Sequence, residues 1–175
     1  SKYIMPSKNT YPPKVNISKT IKNLSELRSI INVIADKFGQ YLSEIAKDYM
    51  QQYIEEEVYT NNVLASGADG EDSYERTYEF LNSIVVRKVG NQWKVGADGR
   101  KISATPRVPS SGKFGQHASF DNSSVAGQMS SFIEYGNNSP AYSYSGIRYI
   151  EKTQQYIDSI VDVEWNKFKS INGIK

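Results

Sequence analysis

The chain has no cysteine, which removes disulfide staples, thiolate zinc sites and cysteine nucleophiles together. Its single histidine, His117, excludes multi-histidine metal centres and leaves one imidazole base. No apolar run approaches the roughly 20 residues needed to span a bilayer, and the Lys-rich start has no apolar stretch of the signal-peptide kind. Apolar residues are scarce too: 38% of the 175, against roughly 45–50% in an average globular domain. A chain of 19.7 kDa still hides about 70% of its extended surface on folding. A core is expected, but a thin one.

Charge is present and segregated. Residues 1–28 carry six Lys/Arg and one Glu, a net +5; residues 29–83 carry three basic and eleven acidic side chains, a net −8. Residues 84–113 return to +6, and the remainder is −1, so the overall +2 conceals the pattern. Opposite blocks attract within a chain or between neighbouring copies, although any one block also reads as a solvated face. The basic stretch Arg87, Lys88, Lys94, Arg100, Lys101, Arg107 and Lys113 is interleaved with one aromatic residue, Trp93. That argues against sequence-specific DNA recognition and allows a basic loop near DNA or an acidic partner.

Pro6, Pro12 and Pro13 make the first 22 residues an extended arm, with a short strand expected near Val15–Ser18. From Asn23 the pattern changes. Asn23 and Glu26 form a capping-box start, and Leu24, Leu27, Ile31, Ile34, Phe38, Leu42, Ile45, Tyr49 and Tyr53 follow at steps of three and four. This spacing predicts an amphipathic helix over about 24–58, roughly 50 Å long. A compact chain of this size is about 40 Å across, so the helix must overhang or bend, with Gly39 the expected bend. An overhanging apolar stripe needs cover, and a neighbouring subunit supplies it economically.

Residues 66–70 are a glycine-rich loop. The β-branched run Ile84–Val89, the Gly90-Asn91 turn and Gln92–Val95 read as a hairpin. Residues 100–126 are a long Ser/Gly/Pro loop. Ser130–Gly136 reads as a helical turn ended by glycine, followed by a polar Tyr/Ser linker to Gly146 and a last helix over about 147–169. The expected class is α+β: a long N-terminal and a C-terminal helix packed on a small antiparallel hairpin-based sheet. Residues 23–175 are expected to form one domain, with long loops and the extended N-terminal arm outside its core.

Catalytic constellations are weak. The run Glu55-Glu56-Glu57 spreads its carboxylates about 100° apart around a helix, unlike the facing pair of a glycosidase. Glu134 or this run would supply carboxylates to a glycan hydrolase, the remaining enzymatic reading. No Gly-x-Ser-x-Gly elbow, phosphate loop or Gly-x-Gly-x-x-Gly motif occurs. No catalytic, cofactor or metal residue is therefore expected. The thirteen tyrosines suit contact surfaces. Tyr135, Tyr142, Tyr144 and Tyr149 flank a glycine-punctuated segment and are interface candidates. Phe38, Tyr41, Tyr49 and Tyr53 belong on the helix, in core or subunit packing.

Three strings in fixed order resemble the neck, or tail-completion, proteins that join head to tail in long-tailed bacteriophages. A step into a hairpin, Arg76-Thr77-Tyr78-Glu79-Phe80-Leu81-Asn82-Ser83-Ile84, is similar to that family's Arg-Thr-Gly-x-Leu-x-x-Ser-Ile, with Tyr78 where glycine is usual. Trp93-Lys94-Val95-Gly96 and Glu134-Tyr135-Gly136 follow, then the final helix. The resemblance covers about residues 24–169. It implies a structural virion protein of the head–tail interface, assembled in the bacterial cytoplasm as a ring of six or more copies. Its partners would be head-connector and tail-tube proteins, with no membrane or small-molecule substrate. On that reading Phe38, Tyr41, Tyr49, Tyr53, Arg76, Tyr135, Tyr142, Tyr144 and Tyr149 meet neighbouring subunits. Arg87, Lys88, Lys94, Arg100, Lys101, Arg107 and Lys113 face passing DNA or an acidic neighbour. The alternatives are a tail terminator or minor tail subunit, or a non-viral nucleic-acid-binding adaptor.

Overall fold

A computed structural model describes residues 11–17, 20–60, 78–102, 130–131, 133–139 and 142–175, without the side chains of 59–60, 137–139 and 142–144. The elements run α1 (Leu24–Ile54), a π-helical turn (Glu55–Thr60), α2 (Glu79–Asn82), β1 (Ile84–Val89) and β2 (Gln92–Ala97). A 3₁₀ turn (Gly99–Lys101), β3 (Gly136–Ser139), β4 (Tyr142–Ser145) and α3 (Tyr149–Asn172) complete the order. The class is α+β, with two long helices and two separate two-stranded sheets, β1-β2 and β3-β4. The described residues divide into two compact units: one within Ser1–Tyr49, Val86–Val95 and Lys152–Lys175, the other within Met50–Val85 and Gly96–Glu151.

The helix ends follow local chemistry. Glu26 N–H donates to Asn23 Oδ1 at 2.9 Å, and the Glu26 carboxylate accepts from Lys22 N–H at 2.7 Å. The capping box is therefore closed one residue earlier than its usual form. At the C-terminal end of α3, Gly173 takes φ 64°, Ile174 N–H bonds the Lys169 carbonyl at 3.0 Å, and Gly173 N–H bonds that of Ser170 at 3.4 Å. That is a Schellman stop, which needs the left-handed conformation glycine adopts without strain. Between β1 and β2, Gly90 sits first in a two-residue turn at φ 60°, the glycine-first pattern of a type II′ hairpin.

Several expectations change. Residues 15–17 are irregular, not strand; Val15 N–H is taken by Asn172 Oδ1 at 2.6 Å, and Asn172 Nδ2 donates to the Pro13 carbonyl at 3.0 Å. These bonds dock the described part of the arm on the end of α3 and leave no ladder for a strand. The α-helix ends at Ile54 and widens into the π-turn, whereas the apolar spacing continued to 58. At Gly39 α1 is uninterrupted, and a Cβ there would lie 3.1 Å from Trp93 Cδ1. This glycine makes room for an indole. The polar linker before Gly146 is the antiparallel pair β3-β4, with Gly136 opposite Ser145 and Ser139 opposite Tyr142. The alternation Tyr142-Ser143-Tyr144-Ser145 carries a strand period of two, which the glycine and asparagines of β3 obscure. α3 begins two residues later and ends three later than the apolar spacing implied, and Ile150, expected on its inner face, is 48% exposed.

In the first unit α1 and α3 pair antiparallel. Tyr49 stacks on Tyr156 with ring centroids 4.2 Å apart. Tyr41, Ile45 and Ile160 form a buried cluster flanked by Phe38, Tyr156 and Ile157. Phe38 also meets Trp165 edge-on at 5.0 Å and Phe168 at 5.3 Å. The second unit buries Met50, Ile54, Phe80, Ile84, Ile133 and Tyr149, with Phe80 and Tyr149 in T-shaped contact at 5.8 Å.

Candidate assembly surface

The pairing of α1 with α3 has a fixed register, and the register sets where α3 stops along α1. The residue numbers of the facing pairs Tyr49–Tyr156 and Tyr41–Glu164 both sum to 205. Continued, this places Asn172, the last residue of α3, level with Val33. The part of α1 before Val33, Leu24 to Asn32, therefore extends past its partner by nine residues, about 14 Å at 1.5 Å each. The apolar stripe does not stop there. Leu24 is 61% and Ile31 53% exposed, although they share the helix face that buries Ile45 deeper in the unit. Exposing two large aliphatic side chains on one ridge forgoes roughly 1–2 kcal/mol each at their degree of exposure.

Beside the turn where cover begins, the hairpin supplies a polar cluster. Trp93 Nε1 donates to Asp36 Oδ1 at 3.0 Å, the Lys88 ammonium pairs with the same carboxylate, and Lys88 lies 5.5 Å from the Trp93 ring centroid. The Lys88 bond chiefly, and then the indole N–H, hold the Asp36 carboxyl below its ordinary range. Strand alternation sends Arg87, Val89, Gln92 and Lys94 to the other side of the hairpin, and all four are exposed.

The expected interface aromatics are dispersed. Tyr41 and Tyr149 are buried in their own chain, at 6% and 1% exposure, so they are corrected from interface to core. Tyr41 Oη donates to Glu164 Oε2 at 2.6 Å, and Tyr149 Oη lies 2.5 Å from Ser130 Oγ. Phe38 and Tyr49 are half-buried in the helix pair, and Tyr53 Oη donates to the Ile147 carbonyl at 3.0 Å. Tyr135 is 64% exposed, with the Arg148 guanidinium 5.1 Å from its ring centroid. Tyr142 and Tyr144 lie in β4, their side chains outside the description; Arg76, Arg107, Lys113 and His117 lie outside the described residues altogether. Of the basic candidates, Lys88 is tied to Asp36, and Arg100 makes a two-pronged contact with Asp98 at 3.1 and 3.2 Å. Lys94 and Lys101 are exposed.

In the second unit, the Glu134-Tyr135-Gly136 string has a physical role that sequence reasoning missed. Glu134 is 3% exposed, and its carboxylate accepts from Ile150 N–H at 2.7 Å. Ile150 lies in the first turn of α3, preceded by Arg148 at φ 55°, which has no acceptor side chain for the orphan N–H groups. A carboxylate from 16 residues upstream does the capping. Gly136, at φ 82°, turns the chain into β3, and a Cβ on Gly146 would overlap the Glu134 carbonyl. Glu134 is thus engaged in holding the helix start. Glu55 and Glu56 face solvent.

Comparison with protein-family models, with curated proteins and with solved structures finds no match to this chain. Among the described residues no cluster of three or more His, Asp or Glu is placed to hold a metal ion, and no helix is long and apolar enough to cross a membrane.

Proposed function

We propose that this chain is a structural subunit of the head–tail joint of a long-tailed bacteriophage, a neck or tail-completion protein acting through contacts with other chains. The observation that carries the reading is the exposed pair Leu24 and Ile31 near the start of α1, which continue a stripe that is core elsewhere, while Leu27 and Ile34 of the same stripe are half-buried. An apolar ridge of this kind on a thin-cored chain marks a docking surface. The resemblance supplies the particular assembly, and two local features support it. Tyr78, at the position where that family has glycine, holds φ 55°, the conformation glycine favours. The Glu134–Gly136 string has the capping and turning role described above, a reason for its place before the final helix.

Reconstruction of intact particles tests the proposal. The chain is expected in a closed ring of six or more copies between portal and tail tube; its absence from virions overturns it. Placement at the distal end of the tube, or elsewhere on the tail, would make it a terminator or minor tail subunit instead. The exposed pair Arg87 and Lys94 favours one reading outside the virion, a nucleic-acid-binding adaptor. That reading requires DNA retention that falls steeply with salt and disappears when Arg87, Lys94 and Lys101 are neutralised.

A further inference from the structure

The sequence has one Asn-Gly step, Asn172-Gly173, and it falls at the end of α3. Asparagine before glycine is the pair most prone to deamidation, because no side chain on the second residue hinders its backbone nitrogen from approaching the amide carbon. In the folded chain both reacting groups are occupied. Asn172 Oδ1 accepts from Val15 N–H at 2.6 Å, and Nδ2 donates to the Pro13 carbonyl at 3.0 Å and to the Phe168 carbonyl at 2.9 Å. Both amide hydrogens are then used. The Gly173 N–H is directed at the Ser170 carbonyl, at 3.4 Å, in the Schellman stop. One side-chain amide therefore grips the arm on either side of Lys14, and the same amide belongs to the step most open to hydrolysis. Lys14, Val15, Asn16, Ile171 and Asn172 line an open depression, so water reaches the joint.

We infer that Asn172 is a spontaneous modification site whose conversion releases the N-terminal arm from α3 irreversibly. In the first step the Gly173 nitrogen gives its proton to hydroxide and bonds to Asn172 Cγ; the Cγ–Nδ2 bond breaks, and ammonia leaves with a proton from water. Water then opens the succinimide ring to aspartate or isoaspartate. While the arm is docked, three hydrogen bonds fix the amide and the nitrogen is held in the helix stop. Reaction waits for the arm to lift and the last turn of α3 to fray, a local opening. The product does not return to the dock. A carboxylate has no hydrogen for the Pro13 and Phe168 carbonyls, so acceptors would face acceptors. Its charge also sits at the C-terminal end of a helix, where the dipole opposes it. Isoaspartate further lengthens the backbone inside the Schellman stop. Docking thus protects the residue, and loss of the residue ends docking.

The test follows the full chain through incubation at mildly alkaline pH. Peptide mapping reads the mass gain of amide-to-acid conversion and the isoaspartate content. Amide exchange at Val15 reads the arm, and exchange at Ile45, in the buried cluster of the helix pair, reads the fold. Conversion at position 172 should be about ten-fold or more slower in the folded chain than in the same chain unfolded in urea. Val15→Pro deletes one of the arm's bonds to Asn172 and leaves the Asn-Gly step unchanged; it should speed conversion by about five-fold, the factor for one net hydrogen bond. The converted fraction, separated by its added negative charge, should exchange the Val15 amide about ten-fold faster than the fresh chain. Asn172→Asp, its stand-in, should do the same, with Ile45 as slow as in the parent. Equal conversion of folded and unfolded chains overturns the inference, as does a Val15→Pro chain that converts no faster than the parent. So does a converted fraction whose Val15 amide is as slow as before. Faster exchange at both Val15 and Ile45 in Asn172→Asp overturns it too, since the change then opens the helix pair instead of freeing the arm.

Discussion

Tyr41 and Glu164 face each other across the antiparallel helices, with the tyrosine hydroxyl donating to the buried carboxylate at 2.6 Å. The other carboxylate oxygen takes Lys167 Nζ at 2.7 Å. The group is 4% exposed and has a donor on each oxygen, the condition under which a buried carboxylate is tolerated. Removing one donor leaves desolvation uncompensated. Tyr41→Phe should therefore cost about 1–3 kcal/mol, read as a lower urea midpoint at unchanged m-value.

The same pair gives a pH dependence. Burial first, and then the bond to the Glu164 carboxylate, raise the Tyr41 hydroxyl above the ordinary tyrosine range. An unfolded tyrosine ionises near pH 10, while folded Tyr41 keeps its proton. Above about pH 10 the native state thus binds more protons than the unfolded state, and stability falls as pH rises. The contribution is fully present below that point. Parallel urea titrations at about pH 8 and about pH 11, on either side of the unfolded tyrosine value, should show a steeper alkaline loss for the parent chain than for Tyr41→Phe. Equal losses would contradict the assignment.

Gly39 and Trp93 set a packing limit. A Cβ at Gly39 would stand 3.1 Å from the indole, which leaves no room for a branched side chain. Gly39→Val should cost about 1–3 kcal/mol through overpacking and shift the Trp93 emission as the ring is displaced from Asp36. If Gly39→Val in a Trp93→Leu background costs as much as in the parent, the close approach is not the cause.

Tyr78 holds a left-handed backbone without being glycine. A non-glycine residue in that conformation carries strain of roughly 1–2 kcal/mol, partly offset because glycine has more unfolded-state entropy to lose. Tyr78→Gly should be neutral or stabilise by up to about 1 kcal/mol, seen as an unchanged or higher Tm. A clear fall in Tm would assign the ring a packing role that outweighs the strain.

Glu134 holds the start of α3 from a distance. Glu134→Ala should cost about 1–2 kcal/mol, and amide exchange should rise first at Ile150. Glu134→Gln keeps an acceptor and should retain much of the stability. Equal losses for both variants would mean that the negative charge at the helix start, more than the hydrogen bond, is what matters.

Much of the local structure was legible from residue order. Asn23 and Glu26 announce the start of α1, Gly90 the hairpin, and Gly173 the stop of α3, because caps and turns depend on residues within a few positions of one another. The aromatic roles were less legible. Tyr41, Tyr149 and Tyr135 look alike in sequence, yet two are buried and one is 64% exposed. The β3-β4 pair was hidden because Gly136, Asn137 and Asn138 are poor strand formers, and their pairing with Tyr144 and its neighbours supplies what propensity does not.

The apolar stripe, its capped beginning and the segregation of charge are properties of the order of residues alone, since each is a matter of spacing along one chain. Which part of the stripe α3 reaches was decided by tertiary structure: the antiparallel register places the end of α3 level with Val33, and no local signal specifies a register between segments more than a hundred residues apart. The same reason makes Gly39 a seat for Trp93 and Glu134 a cap for α3, because each depends on a side chain brought in from a distant part of the chain.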